Sequence, residues 1–330
     1  MAAYTTIDNP ELHFQVKIWT GTGSSNALTL DGDEDMQPDY VMIKQRSSTQ
    51  QWNGYDDLRG VQEYLGWNTS IVENTQSQGL TAFGSDGFTV GTDDMVNKSS
   101  STYVAYCWKE SATAGFDMVL YTGNGSARTI SHSLSAKPDF FSVKSRTFAE
   151  QWECYHKLLG ATKCLQFDDD SAEADILGRF NDTEPTTSVF TVGDADAVNK
   201  NTYTYITYLW RSVQGFSKMG SYKGNGNADG TFVYTGFRPA MVMVKRTDSA
   251  ENWFVFDNKR DTFNPEDTFI RPNLNNADAD ESGGALDFLS NGFKIRNSGD
   301  SFNNSSGTYV FMAFAEQPFV NSNGVPANAR

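Results

Sequence analysis

The sequence predicts an all-β protein of three tandem antiparallel β-sandwich domains, and three observations carry that prediction. One block recurs as Gln37-Pro38-Asp39-Tyr40-Val41-Met42-Ile43-Lys44, Lys137-Pro138-Asp139-Phe140-Phe141-Ser142-Val143-Lys144 and Arg238-Pro239-Ala240-Met241-Val242-Met243-Val244-Lys245. Its prolines lie 100 and 101 residues apart. That period exceeds the roughly 20–50 residues of a solenoid unit and has the size of a whole small domain. Apolar residues alternate along short runs that end in glycine turns, the mark of strands. Helical periodicity is nearly absent, and about seven or eight short strands per repeat is a sandwich pattern.

Each copy opens on a strand that runs into a glycine turn: Phe14 to Gly21-Thr22-Gly23, Phe116 to Gly123-Asn124-Gly125, and Phe216 to Gly224-Asn225-Gly226. Glycine supplies the positive φ of such turns. The proline-led strand follows. Val41 and Ile43 share one face while Met42, Lys44 and Arg46 share the other, so a half-buried strand is expected. Lys44, Lys144 and Lys245 recur there, and a structural role is expected, in an ion pair or with their stems laid over the sheet. Next comes a tryptophan strand, with Trp52, Trp152 and Trp253 at the same spacings. Retention at one position in all copies, like that of Pro38, Pro138 and Pro239, marks a structural repeat position and points to core packing rather than a sugar platform.

Leu65 and Trp67 are answered by Leu165 and Phe167. A polar stretch then leads to Asp86-Gly87-Phe88 and Asn291-Gly292-Phe293, turn signals before a strand. Val189 replaces the glycine in copy two, so a different turn is expected there. A short helix is expected over 170–177. The last strand, Thr102 to Trp108, Thr204 to Trp210 and Thr308 to Phe314, is apolar on both faces and is expected at a sheet centre. The domain bounds read as an arm over 1–12, repeats over 13–113, 114–213 and 214–316, and a second arm over 317–330. Each copy is just large enough to hold a core alone. Very short linkers predict domains that pack together. The arms are expected to be mobile unless they dock on a neighbour.

A net charge of −15 argues against a nucleic-acid surface, which needs a basic patch. No run of 18 apolar residues suggests membrane insertion, and residues 1–5 lack the basic and apolar blocks of a secretory leader. Cys107, Cys154 and Cys164 do not recur, so a disulfide framework is not expected; Cys154 and Cys164 read as two buried thiols or a pair.

Residues that repeat are fold-making, and residues that carry chemistry do not repeat. No two of His13, His132 and His156 share a motif. No acidic position on the core strands is held in all copies: the position of Asp56 is His156 and then Asp257. Catalysis is therefore not expected, and no catalytic residue is assigned. Asp31, Asp33 and Asp35 place oxygens at alternate positions, as calcium loops do, but the rest of the loop pattern is missing; a solvated acidic loop is the competing reading. Tyr55, Tyr64 and Phe148 are the aromatics available to a glycan.

The ordered blocks Tyr-Thr-Gly-Asn-Gly, Lys-Pro-Asp-(x)3-Val-Lys and Asp-Gly-Phe-Thr-Val-Gly, with the last-strand block, resemble a repeat domain of virion and tail proteins of tailed bacteriophages, many of them marine. The resemblance covers nearly the whole chain. It implies concanavalin- or jelly-roll-like, lectin-like sandwiches on a particle surface. The expected role is a virion structural protein, a tail fibre or appendage or a head decoration, in host attachment or particle architecture. The expected partners are other virion proteins, further copies of the chain (a trimer among the symmetries), and host surface glycans. A carbohydrate-binding receptor module and, more remotely, a glycan depolymerase are the rival expectations.

Overall fold

The computed structural model describes residues 4–328. They form an all-β protein of antiparallel sheets, with helices no longer than one turn. Each repeat builds one larger sheet in the same order: opening strand, last strand, proline-led strand, tryptophan strand. In repeat one these are Phe14–Thr20, Thr102–Trp108, Tyr40–Gln45 and Asn53–Asp56. Repeats two and three place Phe116–Thr122, Thr204–Trp210, Phe140–Ser145 and Glu153–His156, and Ser217–Lys223, Thr308–Pro318, Phe237–Arg246 and Trp253–Asp257, in that order. The last strand pairs on both sides, with Trp108 opposite both Phe14 and Tyr40. Its apolar faces are covered on two sides, as the pattern predicts.

A smaller sheet faces each larger one. In repeat one, Leu28, Leu80, Phe88 and Val90 of the small sheet pack on Val41, Ile43, Tyr103, Ala105 and Cys107. Repeats two and three have equivalent clusters around Phe190 and Phe293. The opposite faces of the three larger sheets meet in a fourth cluster drawn from every repeat: Met42, Trp52, Tyr106, Trp108; Phe140, Trp152, Tyr208, Trp210; Met243, Trp253, Met312, Phe314. Trp108 sits edge-on to both of its counterparts, Trp210 at 5.9 Å and Phe314 at 5.7 Å. Each repeat has a core cluster of its own, and a shared core joins them.

That shared core explains why the proline-led strand is buried along its whole length rather than half-buried. Its second face, with Met42 and Lys44, covers the common centre. The lysines do not pair with acids. Lys144 Nζ donates to the carbonyls of Ser70 (3.0 Å) and Glu150 (2.6 Å), and Lys245 Nζ to those of Asp170 (3.1 Å) and Arg246 (2.7 Å). Lys44 Nζ donates to Gln45 O. Burial pulls all three ammonium pKa values down to about 8.

The repeats clasp one another in a cycle. The indole Nε1 of Trp52 donates to Arg271 O in repeat three, that of Trp152 to Gly66 O in repeat one, and that of Trp253 to Gln166 O in repeat two. Backbone bonds repeat the pattern: Asp278 N to Arg46 O, Glu73 N to Arg146 O, and Glu173 N to Thr247 O. Each repeat therefore touches both others, and the tandem array closes on itself. Pro38, Pro138 and Pro239 are buried at the start of this shared layer.

Local chemistry places the turns. A Cβ on Gly21, Gly123 or Gly224 would lie 2.1–2.2 Å from the carbonyl oxygen of Lys98, Lys200 or Asn304, so only glycine fits. A buried asparagine staples each turn. Asn97 Nδ2 donates to Gly91 O (2.7 Å) and Ser24 O (2.5 Å), while its Oδ1 accepts from Thr22 N (2.9 Å). Asn199 and Asn303 make the same set. These asparagines end single helical turns, Asp94–Asn97, Asp196–Asn199 and Asp300–Asn303, too short for periodicity to show.

Two expectations need correction. The helix expected over 170–177 lies instead at Leu177–Phe180, because Ala174–Asp175 pairs with Lys163–Gln166 as a strand. The arms do not await a neighbour. Thr5 Oγ1 donates to Gln214 O (2.7 Å), and Ile7 enters the shared core. Ser322 N donates to Asp8 (2.7 Å), so the two ends of the chain tie together. In repeat two the turn differs as expected: Val189 begins a two-stranded pairing with Arg128–Ser131, and the helix stands at the position of residues 77–80 of repeat one, just before the third strand Leu80–Gly84 of that repeat's small sheet.

Candidate binding groove

Three seams arise from the cyclic packing, each between the corner after one tryptophan strand and the opening strand of the next repeat. Equivalent positions in them carry different charges. The first seam gathers Asp39, Asp57, Glu110 and Asp117. Burial, and then interaction with the Asp117 carboxylate, which favours a protonated Glu110, push Glu110 up to about 8; burial, then Asp39 and Asp56, push Asp57 up to about 6. The second seam holds Asp139, Lys157, Ser212 and Lys218 at those positions, and the third holds Ala240, Asn258, Glu316 and Gln15. The third is filled, leaving about 40 Å³ between Gln15, Asn258 and Glu316.

The second seam is open. It forms a groove with two adjoining lobes of about 380 and 310 Å³ that share Lys157, Lys218 and Tyr234. Phe232 and Tyr234 alternate with buried Val233 on the strand Phe232–Tyr234, so both rings face out, 44% and 48% exposed. Leu158, 51% exposed, stands on the other wall. Tyr4 of the N-terminal arm donates to Gly236 O (2.9 Å), and its hydroxyl lies 3.0 Å from that of Tyr234. Lys218 Nζ donates to Tyr234 O (2.7 Å) and lies 5.3 Å from the ring centre. Lys157 pairs with Asp139 at 3.0 Å. Burial, and then repulsion from Lys157, lower the Lys218 pKa.

None of the residues singled out from the sequence lines this groove. Tyr55 is not a loop aromatic: it lies wholly buried in Asn53–Asp56 and donates to Gln76 Oε1. Tyr64 is half-buried and packs on Tyr55 at 6.3 Å. Phe148 is half-buried, with Lys200 Nζ 3.7 Å from its ring centre and Tyr203 edge-on at 5.2 Å. The acidic loop does not converge on a point: Asp31 pairs with Lys17 (2.6 Å), and Asp33 N donates to Glu11. Among the described residues no group of three or more His, Cys, Asp or Glu side chains is placed to hold a metal, Asp35 included. Cys107, Cys154 and Cys164 are free, buried thiols. Trp52, Trp152 and Trp253 are buried in the shared core.

Comparing the copies with each other finds the groove in the sequence. Phe232 and Tyr234 stand where repeat one has Ala27 and Thr29 and repeat two has Thr129 and Ser131. Only repeat three places large rings at those outward positions.

Buried polar residues elsewhere are sealed from solvent. Arg59 Nε meets Asp56 at 2.5 Å, and Tyr208 of repeat two donates to the same oxygen at 2.6 Å. Arg260, Asp257 and Tyr106 repeat this between repeats three and one. At the remaining interface the three positions are His156, Leu159 and Met312, and burial lowers the His156 pKa to about 4.

No helix among the described residues is long and apolar enough to cross a membrane. No curated protein matches the chain. A family model described as a domain of unknown function, DUF7483, matches residues 9–318, a span that takes in all three repeats and the shared core. The chain belongs to the DUF7483 family.

Proposed function

We propose that the chain is a structural protein at the surface of a tailed-phage particle, acting in host attachment or particle architecture and catalysing no reaction of its own. In this reading the three repeats, 13–113, 114–213 and 214–316, are concanavalin- or jelly-roll-like sandwich domains. The observation that carries it is the closed cycle: one chain repeats a shape three times and clasps the copies through Trp52, Trp152 and Trp253. Such a body imitates a trimer within one polypeptide and suits a place beside other symmetric subunits. The resemblance of the repeat blocks to virion and tail proteins supplies the setting. Immunogold labelling of purified particles, with mass spectrometry of their proteins, tests it. Recovery from the particle surface is expected; absence from the particle contradicts the reading.

Carbohydrate recognition is the second reading, favoured by the exposed rings of Phe232 and Tyr234. A depolymerase has less behind it. No acidic position on the core strands is held in all three repeats, as the Asp56 position shows with His156 and Asp257.

A further inference from the structure

We infer that the groove between repeats two and three binds a carboxylated oligosaccharide, a chain of uronic-acid type, with pyranose rings on Phe232 and Tyr234 and a carboxylate at Lys218. This deepens the attachment reading and rests on it for its biological setting.

The rings come first. Two residues on one face of a strand are about 6–7 Å apart, close to the spacing of neighbouring sugars in a chain. Exposed aromatic surface is costly to solubility, and here it is confined to one copy of three. Aromatic faces take the C–H faces of sugars, and the Tyr4 and Tyr234 hydroxyls beside them offer hydrogen bonds.

The charge comes second. In a chain of net −15, the equivalent of Lys218 is Gln15 in repeat one and Asp117 in repeat two. Lys157 likewise replaces Asp57 and Asn258. Lys157 is paired with Asp139, while among the described residues Lys218 has only a carbonyl as hydrogen-bond partner. Its position beside a second cation, between apolar walls, is an acceptor for an anion. A neutral ligand would leave that ammonium half-buried and uncompensated. Gly220 completes the floor. It stands where the other opening strands have Lys17 and Val119, and the Phe311 ring lies against it.

The test is titration calorimetry of the purified full chain with hexamers of galacturonate, glucuronate and guluronate, and with neutral cellohexaose. Saturable binding is expected for at least one acidic hexamer, at least tenfold tighter than for cellohexaose and weakening as salt rises. Lys218→Gln is expected to remove at least tenfold of that affinity and its salt dependence, and Phe232→Ala with Tyr234→Ala to remove more. These are exposed or half-exposed side chains, so a matching thermal transition shows the variants folded. Lys17→Gln, which removes an opening-strand lysine of repeat one that pairs with Asp31 and lies outside the groove, is expected to leave binding unchanged. Equal binding of neutral and acidic hexamers, an unaffected Lys218→Gln variant, or no binding of any hexamer overturns the inference. The assay needs no particle, so its failure is separable from failure to find the chain on virions.

Discussion

The side chains of Asp56, Arg59 and Tyr208 are buried, and those of their counterparts Asp257, Arg260 and Tyr106 are too, yet the middle set is His156, Leu159 and Met312. The three positions change together because each charge requires the others. Removing one member of a buried ion pair leaves an uncompensated charge and costs about 3–5 kcal/mol. Arg59→Leu alone is therefore expected to lose that much in chemical denaturation. Asp56→His, Arg59→Leu and Tyr208→Met together, the middle set transplanted, are expected to cost less than about 2 kcal/mol, since a buried pair and an apolar set of similar size are nearly equivalent. The variation at residue 56 was visible in the sequence and read only as evidence against catalysis. Its partner lies 152 residues away across a seam, so no local pattern could reveal the set. The asparagine staples escape the sequence for the same reason and one more: Asn97, Asn199 and Asn303 hold turns 73–78 residues away, and the four-residue helices they end have no period. Asn199→Ala is expected to cost about 1–3 kcal/mol, because it strands the buried Gly193 carbonyl and Asn124 N–H.

At the scale of the strand, alternation and turn chemistry located the opening, proline-led, tryptophan and last strands of every repeat. The error was in burial. Period-2 patterning reports an apolar face, but Met42 and Lys44 face a core supplied by two other repeats, and a lysine there looks solvent-exposed from sequence alone. The seams follow the same rule, since their charges come from separate elements. In the first seam folded Glu110 keeps its proton to about pH 8, while the unfolded chain releases it near 4.5. Between those values the folded chain binds more protons, so this group makes stability fall as pH rises. Glu110→Gln is expected to reduce the drop in Tm between pH 5 and pH 8, read by scanning fluorimetry across that range. Trp152→Phe removes the bond to Gly66 O and part of a fully buried indole, and is expected to cost about 2–3 kcal/mol.

For the molecule as a whole, the threefold repeat was legible, and closure of the array was not. Short linkers implied contact between neighbours in sequence; contact between repeats one and three appears only when Trp52 reaches Arg271 O and Phe14 stacks on Phe314 at 4.7 Å. The candidate groove was out of reach for a related reason. It joins Tyr4, a corner of repeat two and a strand of repeat three, and no one of these is notable alone. The differences among copies still pointed to it, because Phe232 and Tyr234 break the pattern of small outward residues. Closure around a common core means that no repeat can unfold without exposing the Trp108, Trp210 and Phe314 cluster. Differential scanning calorimetry of the full chain tests this most directly. A single transition, with calorimetric and van't Hoff enthalpies in a ratio near one, is the predicted result. Two or three separable transitions, or a ratio near three, would contradict a shared core.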